Sequence, residues 1–224
     1  KEVNTNLEAG FHLFIGLFQN ISGGSWMNIF RYLPPVVFLL TVLSAYIFGK
    51  RHGFGWEAAL MTCLLTTTVG ILGPGFLVPV ALGLPFILLA LFIAHHFRGI
   101  TSYFILLLIM GFLVAIHPPT AVGLGIILIP YVLICLKGNF KHSLGMSIAA
   151  GLPALAALLV ADWEVITHYA DLLFSVHPEN TRIAWPDLVP EYGYLPFACC
   201  IFGVMVLVIK GSRETWGLVG SLVL

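Results

Sequence analysis

Glu8 and His12 stand four residues apart, a spacing that puts both side chains on one face of a helix. A carboxylate and an imidazole so placed form an acid/base pair or half of a metal site, or simply the polar face of a helix lying at an interface. Arg31, in Phe30-Arg31-Tyr32-Leu33-Pro34-Pro35, brings a guanidinium to the edge of a long apolar run. That fork either grips a phosphate through parallel N–H groups or snorkels to lipid headgroups. His117-Pro118-Pro119-Thr120 joins two further apolar runs. There His117 either donates to phosphate or sugar oxygens, with the Thr120 hydroxyl beside it, or closes a tight helical hairpin. Arg182 adds a cation in a polar stretch that also holds Glu179, Asp187 and Glu191 among Pro178, Pro186 and Pro190. The chemistry these types offer is proton transfer by Glu8 and His12, and stabilisation of an anion by Arg31, His117, Thr120 and Arg182.

The elements that must position these groups are apolar almost throughout. Of 224 residues, 59% are hydrophobic and only 9% charged, and the mean hydropathy is +1.02. A soluble domain carries about 25% charge, so the chain belongs in a bilayer. Ten basic residues balance ten acidic ones, which removes the basic surface that nucleic acid requires. Gly49-Lys50 has no phosphate-loop glycine upstream, Gly123-Leu124-Gly125 lacks the third glycine of a dinucleotide turn, and neither HExxH nor GxSxG occurs. Cys63, Cys135, Cys199 and Cys200 lie in apolar runs and behave as small hydrophobes, with no disulfide framework or zinc pattern.

Apolar runs predict about seven to eight transmembrane helices in one all-α, polytopic domain over 1–224, with a short interfacial helix over 10–22. The spans are 30–48, 56–72, 76–97, 100–116, 119–136, 144–160 and 192–209, with another beginning at Trp216. Residues 161–191 form the one long polar loop. Because cytoplasmic loops are rich in Lys and Arg, the doubtful span 56–72 can be tested by charge. If it crosses, Lys50, Arg51, Arg98, Lys137, Lys141, Lys210 and Arg213 share one side, while Glu2, Glu8 and the acids of 161–191 share the other. The expected location is therefore a multi-pass cell membrane with an acidic extracytoplasmic face. The polar start and the short apolar run at the end are those expected of a piece of a longer chain.

The order of features resembles the integral-membrane glycosyltransferases of the GT-C superfamily that use polyprenyl-phosphate sugars. The resemblance rests on Gly10-Phe11-His12, Arg31-Tyr32-Leu33-Pro34, Ala45-Tyr46-Ile47-Phe48-Gly49-Lys50-Arg51, the alanine-bearing helix from Glu57, the Gly70 to Gly75 loop and the His117-Pro118-Pro119-Thr120 hairpin. It covers somewhat over half of the chain, from Gly10 to Leu136. It implies a GT-C-like bundle that moves a sugar from a polyprenyl-phosphate donor to an acceptor on the extracytoplasmic face, with an acidic base or metal ligand in the first outer loop. A divalent metal is compatible with that chemistry. No Asp-x-Asp pair is present, and Glu8 is the nearest carboxylate to the expected place.

Two other functions fit the same composition. A secondary transporter would use the broken stretch Gly70 to Pro79 and Thr66-Thr67-Thr68 at membrane depth, though few ionisable residues lie within the spans. A membrane scaffold subunit would need no chemistry at all.

Overall fold

The computed structural model describes residues 9–64, 77–136, 138–160, 167, 194–211, 216, 217, 219 and 220. Eight helices run through them: α1 (Ala9–Ser22), α2 (Trp26–Arg51), α3 (Gly55–Leu64), α4 (Pro79–His96), α5 (Ile100–Ile116), α6 (Pro118–Leu136), α7 (Phe140–Val160) and α8 (Tyr194–Lys210). The described residues contain no strand. Four helices, α2, α4, α6 and α7, are long and apolar enough to cross a membrane, and the shorter apolar segments Ile100–Ile116 and Phe197–Ile209 lie in α5 and α8.

The outside of the bundle is as apolar as its inside. Leu39 is 65% exposed, Leu133 58% and Leu159 79%, values that would cost a water-soluble protein dearly and that hydrocarbon accepts without penalty. The interior is instead built on close approach. Ala45, Ala81, Ala90, Ala94 and Ala121 are buried, as expected where lipid gives no hydrophobic drive between helices and packing must supply it.

Helix α2 has 26 residues, about 39 Å at ~1.5 Å per residue, longer than a ~30 Å hydrocarbon core. It starts earlier than the apolar run because the Ser25 hydroxyl caps it, accepting from the Asn28 N–H at 3.3 Å. Pro34 and Pro35 therefore lie inside the helix. Having no N–H, they leave the carbonyls of Phe30 and Arg31 without their i+4 donors. Both carbonyls belong to exposed residues near the helix start, where interfacial water can satisfy them.

Helices α2 and α4 pack side by side and run parallel. Their early residues Ile29, Val37, Leu77 and Leu82 share one buried cluster, while at the other end Phe48 meets His95 and His52 meets His96. A parallel pair requires the chain to return from one end of the bundle to the other between Gly55 and Leu77. The return begins in α3, which folds back tightly on α2. A Cβ on Gly49 would lie 2.7 Å from that of Ala58, and one on Gly55 would lie 2.9 Å from Lys50 Cα. Helices α5, α6 and α7 then alternate in direction, with Leu106, Met110, Leu113, Leu124, Leu128, Tyr131 and Met146 forming the main core with α4.

Candidate functional site

His117 is at once the last cap of α5 and the first of α6. Its N–H donates to the Leu113 carbonyl at 2.8 Å, and its own carbonyl accepts from the Thr120 N–H at 3.0 Å. Pro118 and Pro119 occupy the first turn of α6, where a missing N–H does no harm. The same prolines remove the backbone donors that usually make a helix N-terminus an anion site. Any anion held here must be held by side chains.

Those side chains are already joined. His117 Nδ1 lies 2.6 Å from Thr120 Oγ1, so one is donor and the other acceptor, and the opposite role passes to His117 Nε2. When the Thr120 hydroxyl donates, Nε2 carries the ring proton and can donate to a phosphate oxygen. Thr120 is buried against α4, where a Cβ on Gly83 would come within 2.8 Å of Thr120 Cγ2 and 3.3 Å of Leu113 Cδ2. Glycine at 83 is what lets α6 close on α4 at this level.

Helix α1 docks on the same end. Its Phe11 and Ile15, four apart on one face, are buried with Ile116 of α5, and Phe14 meets Phe112 edge to face at 5.6 Å. The approach is closest at Gly10, where a Cβ would collide with the Ala115 carbonyl oxygen. This contact brings α1, and with it His12, to the end of the bundle where His117 sits. His12 is exposed beside the Phe11 ring, 5.6 Å away.

Arg31 lies elsewhere on that end. It is exposed on α2, with its guanidinium 5.5 Å from the centre of the Tyr32 ring, whereas Ile29, Pro34 and Val37 form the buried face. From Arg31 to Lys50 is about 29 Å of helix at ~1.5 Å per residue, close to the thickness of a hydrocarbon core. The geometry matches a residue marking one interface while Lys50 marks the other. Glu8, Arg182, the Gly70 to Gly75 loop and, apart from Thr167, the 161–191 loop lie outside the described residues. Among the described residues no group of three His, Cys, Asp or Glu is placed to hold a metal ion.

An apolar groove of about 770 Å³ opens between α5, α6 and α7. It starts at Pro118, next to His117, and extends along α6 through Gly125 and Ile129 to Leu133, with Ala154 and Leu158 of α7 on its other wall. These α6 residues lie on the side of the helix opposite Thr120.

The opposite end of the bundle holds a second constellation, of histidines at the ends of helices. His95 is 4% exposed and His142 2%. His142 Nε2 lies 3.2 Å from the Ala94 carbonyl and Nδ1 lies 2.9 Å from the Tyr103 hydroxyl. A carbonyl can only accept, so in the neutral ring Nε2 carries the proton and Nδ1 accepts from Tyr103. One imidazole thereby ties α7 to both α4 and α5. The His95 ring lies tilted against Tyr131, 3.9 Å centre to centre, and among the described residues neither of its ring nitrogens has a hydrogen-bond partner. The doublet His95-His96 was visible in sequence, but its burial depends on α2, α6 and α7 arriving together.

Comparison with known proteins adds no family to this geometry: no family model, no curated protein and no solved structure matches the chain.

Proposed function

We propose that the chain is a GT-C-like membrane glycosyltransferase, a polytopic protein of the cell membrane with seven to eight spans that moves a sugar from a polyprenyl-phosphate donor to an acceptor at the end bearing His117. The observation that carries this reading is the His117–Thr120 pair, held 2.6 Å apart at the junction of α5 and α6, on the end where α1 docks through Gly10. In the transfer, an acceptor hydroxyl attacks the anomeric carbon, the new C–O bond forms and the bond to phosphate breaks. The acceptor proton passes to a base, for which His12 and Glu8 are the candidates, and polyprenyl phosphate leaves with the bonding electron pair. His117 donates to the departing phosphate, Thr120 fixes its ring, and Arg31 and Arg182 are the further candidates for positive charge. The groove that begins at Pro118, on the side of α6 away from Thr120, offers an apolar tail a path that ends next to His117 in the chain.

The test is transfer by the full chain in lipid vesicles, with radiolabelled sugars on polyprenyl phosphates and the label followed out of the lipid fraction. Replacing His117 with Ala should lower turnover by about 10²-fold or more, the scale for losing one donor to a developing anion. Turnover equal to the wild type in that variant, or no transfer from any donor, would overturn the reading.

A further inference from the structure

The end of the bundle opposite His117 gathers positive charge from three helices. Helix α2 finishes there with Lys50, Arg51 and His52, and α4 with His95, His96 and then Arg98. Helix α7 begins there with Lys141 and His142. The packing makes these neighbours in space, with the His52 and His96 rings 5.2 Å apart. His52, His96 and His142 are all close enough to act electrostatically on His95, and Arg98 on His142. Lys50, Arg51, Arg98 and Lys141 are exposed. The one carboxylate among the described residues, Glu57, lies in the first turn of α3.

Two further observations point to a ligand of defined chemistry. His95 is 4% exposed, and among the described residues neither ring nitrogen has a hydrogen-bond partner; a buried imidazole in that state wants a polar group carrying both a donor and an acceptor. On the same end, where α3 folds back on α2, Tyr46 packs on Trp56 at 5.0 Å, and the Lys50 ammonium lies 5.6 Å from the Tyr46 ring centre. Tyr and Trp sit at headgroup depth. Basic clefts between helix ends at that depth bind the phosphates of anionic lipids.

We propose that the basic surface where α2 and α4 end together, formed by Arg51, His52, His96 and Arg98 over the buried His95, is a binding site for the headgroup of an anionic phospholipid in the leaflet on that side. The phosphate meets Arg51 and Arg98, and the headgroup hydroxyls supply the donor and acceptor that His95 lacks. This site is separate from the transfer site proposed above and does not depend on it.

The experiment measures lipid retention by the delipidated full chain in detergent, using native mass spectrometry, with phosphatidylglycerol, phosphatidylcholine or inorganic phosphate added. Phosphatidylglycerol should be retained at least tenfold over phosphatidylcholine, and inorganic phosphate should not displace it. Neutralising Arg51 and Arg98 to Gln should weaken retention by about fivefold for each residue, the scale for one basic group at a lipid surface. His95→Phe should also weaken it while leaving both arginines in place. Equal retention of the two lipids, or displacement by inorganic phosphate, would overturn the proposal. So would a preference lost in Arg31→Gln but kept in the Arg51→Gln/Arg98→Gln protein, since it would move the lipid to the opposite end. If the double variant does not fold, the two-lipid comparison, the phosphate competition and His95→Phe still decide the matter on folded protein.

Discussion

His117 spends both of its backbone groups on capping, so its ring is positioned before any ligand arrives. The N–H closes α5 on Leu113 and the carbonyl opens α6 at Thr120, which leaves the side chain aimed by the backbone and locked by Thr120 Oγ1 at 2.6 Å. Thr120→Val separates the hydrogen bond from the shape. Valine keeps the methyl that packs on Gly83 and removes only the hydroxyl, so unfolding in detergent should show a loss of about 1 kcal/mol, the net scale of one such bond. Under the proposed function, sugar transfer should fall by more than that stability loss accounts for, because the hydroxyl no longer holds the orientation of the His117 ring. Transfer unchanged in Thr120→Val would mean that the hydroxyl has no part in orienting His117. Two of the candidate residues were legible as a pair because they lie three apart across a proline doublet, a local pattern. The bond from His142 to Tyr103 and the carbonyl of Ala94 was not legible, since it joins three helices whose order in space no local spacing encodes.

At the scale of the element, glycine decides where helices meet. A Cβ at Gly10 would collide with the Ala115 carbonyl oxygen, a backbone atom that cannot swing aside as a side chain can. Gly10→Ala should therefore lift the start of α1 from α5, costing about 1–3 kcal/mol as overpacking does. Hydrogen exchange of α1 should rise while that of the main core stays as before. Gly16, on the same helix with nothing within 4 Å of a built Cβ, is the control, and Gly16→Ala should stabilise α1 slightly through helix propensity. Equal protection of α1 in both variants would show that Gly10 does not set the docking. The helices themselves were largely readable: the apolar runs 100–116 and 119–136 correspond to Ile100–Ile116 and Pro118–Leu136, because a span must be continuous, apolar and bounded. Helix α2 was read too short, since Pro34 and Pro35 suggest a boundary and nothing in the run itself shows that water at the interface can serve the carbonyls they leave open. The docking of α1 was invisible for a different reason, as Gly10 and Ala115 meet only once α2, α4 and α5 have assembled.

For the molecule as a whole, a net charge of zero conceals a cluster of basic residues at one end of the described bundle. Lys50, Arg51, Arg98 and Lys141 gather where α2 and α4 end and α7 begins, while Arg31 stands near the start of α2 at the other end. Parallel α2 and α4 bring Arg51 and Arg98 to the same end, so the basic cluster is a property of the fold as well as of the sequence. If that end faces the cytoplasm, as the distribution of Lys and Arg favours, Ser22 must face outward and the α4–α5 and α6–α7 turns inward. Substituted cysteines test this after Cys63, Cys135, Cys199 and Cys200 have been replaced. Ser22 is exposed at the end of α1; Gly99, with nothing within 4 Å of a built Cβ, and Gly138 are exposed in the two turns. On intact cells a membrane-impermeant maleimide should label Ser22→Cys within minutes and leave Gly99→Cys and Gly138→Cys unlabelled until the membrane is opened. Labelling of Ser22→Cys and Gly99→Cys from the same side would contradict a membrane crossing by α2 and α4 together, because those two helices, both running from the Ser22 end to the Gly99 end, are what separate the residues across the bilayer.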